Sequence, residues 1–256
     1  MNVKDYPAIT CDSRKVTPGC LFIAVRGAND DGNRYIDAAM KAGAAAYVST
    51  DRRGLAEIAD KFYDHPSGKL KLVGITGTNG KTTTVTLLYH MMRSLGYECG
   101  LLSTIANYVG ARRTETTNTT SDPITINRLL AEMVEAGCEY CFMEVSSIGV
   151  EQERVAFLEF AAGIFSNLTH DHLDYHGTFA EYIRCKKLFF DQLPASAMCF
   201  LVDQHDNITI CILEIRAGFS FPCTVIAFYR REAIRNVRQL PNAKIDWIIV
   251  HCFKAN

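Results

Sequence analysis

The chain has 256 residues, enough to bury a sizeable core in one large domain or two modest ones. Its 27 basic and 28 acidic residues leave a net charge of −1 with no basic block, which excludes the electrostatic footprint of a nucleic-acid binder. The N-terminus MNVKDYPAIT has no basic segment leading into an apolar run, and no apolar stretch could span a bilayer, so a cytoplasmic protein without membrane insertion is expected.

Residues 1–68 read as a first, small α/β unit. Asp12-Ser13-Arg14 precedes a turn at Pro18-Gly19; by itself it reads as well as a salt-bridged polar turn as a functional one. Leu21–Val25 has the composition of a short buried strand, and residues 27–32 (GANDDG) form a polar loop. Residues 35–42 look helical with Gly43 as the stop, and 44–48 suggest another strand. His65-Pro66-Ser67-Gly68 is the natural linker to a second unit, residues 69–203.

That unit opens on an apolar, branched run over 70–76, the pattern of a buried strand. A helical pattern follows, with Val85, Leu88, Met92 and Leu95 on one stripe. Between them lies Gly77-Thr78-Asn79-Gly80-Lys81-Thr82-Thr83. A strand feeding a Gly-rich turn at a helix N-terminus makes an anion site, because free N–H groups and the positive end of the helix dipole face the ligand. Lys81 can reach a phosphate and the Thr82 hydroxyl can ligate Mg²⁺. The pattern G-x-x-x-x-G-K-[ST] would put Gly where this chain has Ile75, so the match is to a shorter variant, G-T-N-G-K-T-T.

Farther along, Gly96 closes the helix and 100–105 reads as a strand, followed by a polar loop over 112–120. Asp122 as N-cap and Pro123 at the first position open a helix to about 136, closed by Gly137. Ten cysteines are scattered through the chain; the one C-x-x-C, Cys138 to Cys141, lacks a second pair and points to packing rather than zinc. Residues 140–145 form a strand that delivers Glu144 to its carboxyl end, where ligands of an open parallel sheet lie. Glu144 is thus either a Mg²⁺ ligand or a solvated strand-end glutamate. The strand 162–167 delivers Thr169-His170-Asp171-His172-Leu173-Asp174-Tyr175-His176, a dense ligand-type cluster or a polar loop. Thr178 caps a helix to about 193 that carries Lys186, and 198–202 is one more strand. From about residue 204 the character changes, with much Ile, the only Trp (Trp247) and no nucleotide or metal motif.

VGITGTNGKTTT, NTTSDP, MEVSS, NLTHDHLDYH and the Lys186 helix occur together and in order, and so does DSRKVTPGCLFIAVRGANDDG near the start. Together they resemble the Mur ligases over about residues 10–203, and most of all those that add the third amino acid to a UDP-N-acetylmuramoyl dipeptide. The resemblance implies an α/β fold. A small N-terminal UDP-binding domain (1–68) would precede an incomplete parallel-sheet P-loop ATPase domain (69–203). Ser13, Ala28, Asn29 and Asp30 would hold the uridine diphosphate. Gly77, Thr78, Asn79, Gly80, Lys81, Thr82 and Thr83 would hold ATP. Asn118, Thr119, Thr120, Ser146, Gln152 and Arg154 would hold the muramoyl dipeptide. Lys81, Glu144, His172 and Lys186 would serve catalysis, and Thr82, Glu144, His172 and a carbamylated Lys186 would serve Mg²⁺. The reaction implied runs through an acyl phosphate to an amide with an incoming amino acid, diaminopimelate or lysine, in peptidoglycan synthesis, on a monomer.

Two departures from the family pattern stand out. Ile148 replaces the His that follows Glu144-Val145-Ser146-Ser147 in the family. Residues 204–256 read as a tail foreign to it; a sheet that stops early leaves a strand edge that the tail either partly covers or, if disordered, leaves bare, and the chain is expected to form no amide bond alone. Folylpolyglutamate synthases share the phosphate loop, but the Asp12-Ser13-Arg14 unit and the NTT segment argue against them. A non-catalytic nucleotide- or UDP-sugar-binding module is the alternative outside enzymes. A kinase or GTPase would leave the His-Asp cluster unexplained.

Overall fold

The structure, a computed structural model, describes residues 2–27, 30–116, 118–169, 173–203, 209–214 and 224–227. The first unit is a parallel sheet of β1 (Ile9–Thr10), β2 (Leu21–Val25) and β3 (Ala46–Thr50), with helices α1 (Ile36–Lys41) and α2 (Arg52–Phe62). The two-residue period of β2 sorts its side chains. Leu21 and Ile23 pack on Leu55 and Ala59 of α2, whereas Phe22 and Ala24 pack on Ala39 of α1. Sequence reading passed over α2, although Asp51 caps it by accepting from Gly54 N–H (2.8 Å) and its apolar residues recur at helical spacing.

The second unit is built on β4 (Lys71–Thr76), α3 (Lys81–Ser94), β5 (Cys99–Leu102), β6 (Asn107–Val109), β7 (Arg112–Thr114), α4 (Pro123–Glu135), β8 (Tyr140–Glu144) and α5 (Ser147–Glu151). Then come β9 (Phe160–Phe165), α6 (Leu173–His176), α7 (Phe179–Asp191), β10 (Met198–Asp203), β11 (Thr209–Glu214) and β12 (Thr224–Ala227). Its sheet runs in the order β12-β11-β10-β9-β4-β8-β5-β6-β7. The five central strands, β10 to β5, are parallel, and both flanks are antiparallel.

Helices cover both faces, as a parallel sheet requires. On one, Val85 and Tyr89 of α3 pack on Ile75, Leu101 and Phe142. On the other, Leu129, Leu130 and Met133 of α4 and Phe189 and Phe190 of α7 pack on Leu72, Met143 and Phe160. Leu95, expected on the buried stripe of α3, lies past the last turn and is 65% exposed; Tyr89 takes its place in the core.

One further expectation is corrected. The strand expected over 100–105 ends at Leu102, and the chain returns as β6 and β7 through a turn in which Ser103 Oγ donates to Ala106 O (2.7 Å). Of the two alternatives for the edge, cover by the tail holds at β10, which β11 pairs in register from Met198↔Glu214 to Asp203↔Thr209.

The units touch through α2 and α4: Ile124 joins the Leu55–Ala59 cluster, and Arg53 Nη1 meets Glu153 Oε2 at 3.0 Å. No helix among the described residues is long and apolar enough to cross a membrane.

Candidate functional site

The carboxyl ends of β4, β8 and β9 meet at residues 77–83. Gly77 has φ of 145°, and a Cβ there would lie 2.0 Å from Ser166 Oγ. Only glycine lets the segment after β9 support the loop this closely. From that segment Ser166 Oγ donates to Asn79 O (2.7 Å), and Asn167 O accepts from Thr78 N–H (2.9 Å). The Asn167 side chain both accepts from Asn79 N–H (2.8 Å) and donates to Asn79 O (2.8 Å). On the opposite side of the loop, no described residue lies within 4 Å of a Cβ built on Gly80, whose φ is 82°. Among the described residues no side chain caps α3, so its first-turn N–H groups point to that side of the loop with the dipole behind them.

Two ammonium groups converge on one carbonyl of this loop. Lys81 Nζ donates to Gly77 O and Thr78 O, both at 2.9 Å. Lys186 Nζ, on α7 and only 3% exposed, donates to the same Gly77 O at 2.8 Å and lies 4.5 Å from the centre of the Tyr182 ring. Its charge is held inside rather than in water, on the Tyr182 ring and Gly77 O, in a helix whose Cys185, Phe189 and Phe190 are buried as well.

Glu144, 1% exposed, is paired in register with Ile75, so it ends the strand beside the one that leads into the loop. Burial discards the solvated strand-end reading. Its carboxylate accepts from Thr104 N–H (2.8 Å) and Thr104 Oγ1 (3.2 Å), leaving acceptor capacity for a cation. Thr82 sits in the first turn of α3. One carboxylate and one hydroxyl beside a phosphate loop suit Mg²⁺, which keeps waters and leans on substrate phosphates. Among the described residues no three His, Cys, Asp or Glu side chains gather as a metal cage. His172, with His170 and Asp171, lies outside the described residues. His176, from the same cluster, is turned inward: its Nε2 is 2.9 Å from Ser147 Oγ, and both residues are buried.

A polar shelf adjoins Glu144. Thr120 Oγ1 donates to Glu144 O (3.0 Å) and accepts from Ser146 N–H (3.0 Å), while Thr120 O accepts from Arg154 Nη1 (2.6 Å). Arg154 also donates through Nη2 to Gln152 Oε1 (2.6 Å), and burial lowers its pKa. The Thr104 hydroxyl has one hydrogen, which goes to Glu144, so Thr119 Oγ1, 3.2 Å away, is the donor to Thr104 Oγ1, and Asn118 N–H donates to Thr116 Oγ1 (3.4 Å). The structure therefore brings Thr119, Thr120, Ser146, Gln152 and Arg154 into one network beside Glu144. Sequence reading missed Thr104, which a strand-end Thr does not advertise, and Tyr175, whose hydroxyl accepts from Gln152 Nε2 (3.0 Å). Ile148 is half-buried on α5.

In the first unit Ser13 opens a single 3-10 turn, Ser13–Lys15, capped by Asp12. Asp12 grips Arg14 with two parallel bonds of 2.9 Å, and Asp30 pairs with Arg34 and accepts from Tyr35 Oη (3.1 Å). Ala28 and Asn29 lie outside the described residues. The Arg14 side-chain bonds hold the Asp12 carboxyl down to about 2. A depressed acid stabilises the fold above its unfolded pKa, near 3.9, and that contribution disappears as pH falls through the folded value. Asp12→Asn is thus expected to be less stable than the parent by less than about 1 kcal/mol near neutrality, since Arg14 is exposed. Urea unfolding at several pH values checks this: the difference should close between about pH 4 and pH 2.

The description "Mur ligase family, catalytic domain" matches residues 5–68, and "Mur ligase middle domain" matches 75–233. The middle-domain match passes beyond 203, so part of the stretch read as foreign lies inside it. The UDP-N-acetylmuramoyl-L-alanyl-D-glutamate–2,6-diaminopimelate ligase of Cytophaga hutchinsonii is 46% identical, over 95% of this chain and 54% of its own length. That of Parabacteroides distasonis is 46% identical over 82% of this chain and 46% of its own. The chain spans about half the length of these curated relatives. Among solved structures, a ligase of the same description superposes with a TM-score of 0.65 at 23% identity, covering 84% of this chain and 55% of the other. MurF ligase from Thermotoga maritima in complex with ADP superposes with a TM-score of 0.57 at 15% identity, covering 89% and 59%. At these identities the superpositions speak to the fold.

Proposed function

Because this chain belongs to the Mur ligase family, we propose that it holds ATP against the carboxylate of a UDP-N-acetylmuramoyl dipeptide, for amide formation through an acyl phosphate in peptidoglycan synthesis. The observation that carries this reading is the convergence of Lys81 and Lys186 on Gly77 O beside the buried Glu144. Attack of a carboxylate on a γ-phosphate brings two anions together, and fixed cations and dipoles must offset their repulsion.

The N–H groups at the start of α3 and the Lys81 ammonium take the phosphates. The shelf of Thr120, Ser146, Gln152 and Arg154 orients the dipeptide, with Arg154 the cation for its carboxylate. Ser13 and Asp30, with Ala28 and Asn29, are assigned to the uridine diphosphate. Thr82 and Glu144, with His172, are the residues that would hold Mg²⁺, which supplies charge neutralisation on the transferring phosphoryl group. Carbamylation would convert Lys186 from a second cation into an anion able to support that metal, and the carbonyl of Gly77 would lose one of its two ammonium donors. The incoming amine is that of diaminopimelate or lysine, the protein acting as a cytoplasmic monomer.

Equilibrium titration of the chain with Mg–ATP and with UDP-N-acetylmuramoyl-L-alanyl-D-glutamate tests the reading. Saturable binding of both is expected. Binding of neither at millimolar ligand would overturn it.

A further inference from the structure

Tyr182 lies on α7, away from every motif that marks the nucleotide loop, yet it is completely buried against that loop. Its hydroxyl is 3.0 Å from Thr78 Oγ1. The Thr78 hydroxyl has one hydrogen and two lone pairs. It donates to Thr169 O (3.2 Å) and accepts from Thr169 N–H (2.9 Å), so one lone pair remains, and the Tyr182 O–H fills it. The same ring carries the Lys186 ammonium at 4.5 Å from its centre, and such a contact is strongest where water is excluded. On its other flank the ring packs on His176, centroids 5.3 Å apart, and His176 is in turn held by Ser147 Oγ at 2.9 Å.

We propose that Tyr182 is a positioning residue. Its hydroxyl holds the loop in its phosphate-binding shape, and its ring holds Lys186 over Gly77 O. The chain Ser147–His176–Tyr182–Thr78 thereby ties the end of β8, where the substrate shelf begins, to the nucleotide loop at the end of β4. Both halves of the site then share one buried aromatic strut, and neither the loop nor Lys186 can shift without disturbing it. Buried hydrogen-bonded hydroxyls of this kind are costly to orphan, because the partner left behind loses its bond without regaining water. The inference rests on the reading of Gly77–Thr83 as a nucleotide site for its affinity arm only.

The test uses the full chain and Mg–ADP as probe. Tyr182→Phe is expected to weaken ADP binding about five- to tenfold, the scale of one buried hydrogen bond. In a Thr78→Val background the same change should alter affinity by less than about twofold, since the acceptor is already gone. Tyr182→Leu should weaken binding beyond Tyr182→Phe, and this extra loss should vanish in Lys186→Met. A merely structural tyrosine would give additive losses in both cycles, which would overturn the proposal. Hydrogen exchange supplies an arm free of nucleotide: Tyr182→Phe should speed exchange of the Gly77 to Lys81 amides while leaving those of β8 unchanged. Unchanged loop exchange, or a uniform rise, would overturn the proposal. If the parent chain binds no ADP, the nucleotide reading fails and loop exchange alone decides the role of Tyr182.

Discussion

Replacing Lys81 by alanine is expected to lower ATP turnover by about 10²–10³-fold in a full-length relative carrying the same loop, and to weaken ATP binding in this chain. The ammonium lies across the loop on Gly77 O and Thr78 O, 2.9 Å from each. A phosphate placed over the first turn of α3 would meet that group together with the helix N–H donors. The lysine charge grows more important as negative charge builds between the attacking carboxylate and the γ-phosphate, so the loss falls mainly on the chemical step. Lys186 sits too close to leave the site without positive charge, but its ammonium is held inside, on the Tyr182 ring and Gly77 O. It is not placed to replace Lys81 at the mouth. Phosphate release in the relative and calorimetric titration of the chain measure the two effects. Turnover within about threefold of the parent would contradict a transition-state role for Lys81.

Gly77→Ala is expected to be the most damaging conservative change in the loop. Its φ of 145° is strained for an L side chain, and the added methyl would lie 2.0 Å from Ser166 Oγ and 3.0 Å from Asn167 N and O. The backbone atoms cannot give way without breaking the bonds by which Asn167 supports Thr78 and Asn79. Overpacking and backbone strain together should cost about 3 kcal/mol, a fall in Tm on the order of 10 °C for a chain of this size. ADP binding should be lost with it, because the loop and its support move together. Gly80→Ala is the internal control. Its φ of 82° carries the strain alone, with no described residue within 4 Å of the new methyl, so the loss should stay near 1 kcal/mol. Thermal melts and ADP titration of both variants check the contrast. Equal losses would show that packing by Ser166 and Asn167 does not shape the loop.

Local pattern carried much of this protein. The β4–loop–α3 unit, the Asp122 cap with Pro123 and the strand ending at Glu144 all follow from short-range rules, because strand period, helix caps and glycine conformations act over a few residues. The Mur ligase relationship was likewise legible, since its motifs lie in order along the chain. Other features depended on distant partners. Asp12-Ser13-Arg14 is a salt-bridged turn whatever else it does. His176, which spacing grouped with His170 and His172, is drawn inward by Ser147, twenty-nine positions earlier.

What the amino-acid order determined by itself was the set of elements around the phosphate loop and the chemistry they could bear. Only the folded chain decided which groups meet there: Thr104 on Glu144, Lys186 beside Lys81, Tyr182 on Thr78. Parallel strands are joined by long crossovers, so residues adjacent in the site are remote in sequence, as with Lys186 and Gly77 at a separation of 109. A lysine's burial, and hence whether its charge belongs to water or to the site, is a property of that long-range packing, not of its neighbours in the chain.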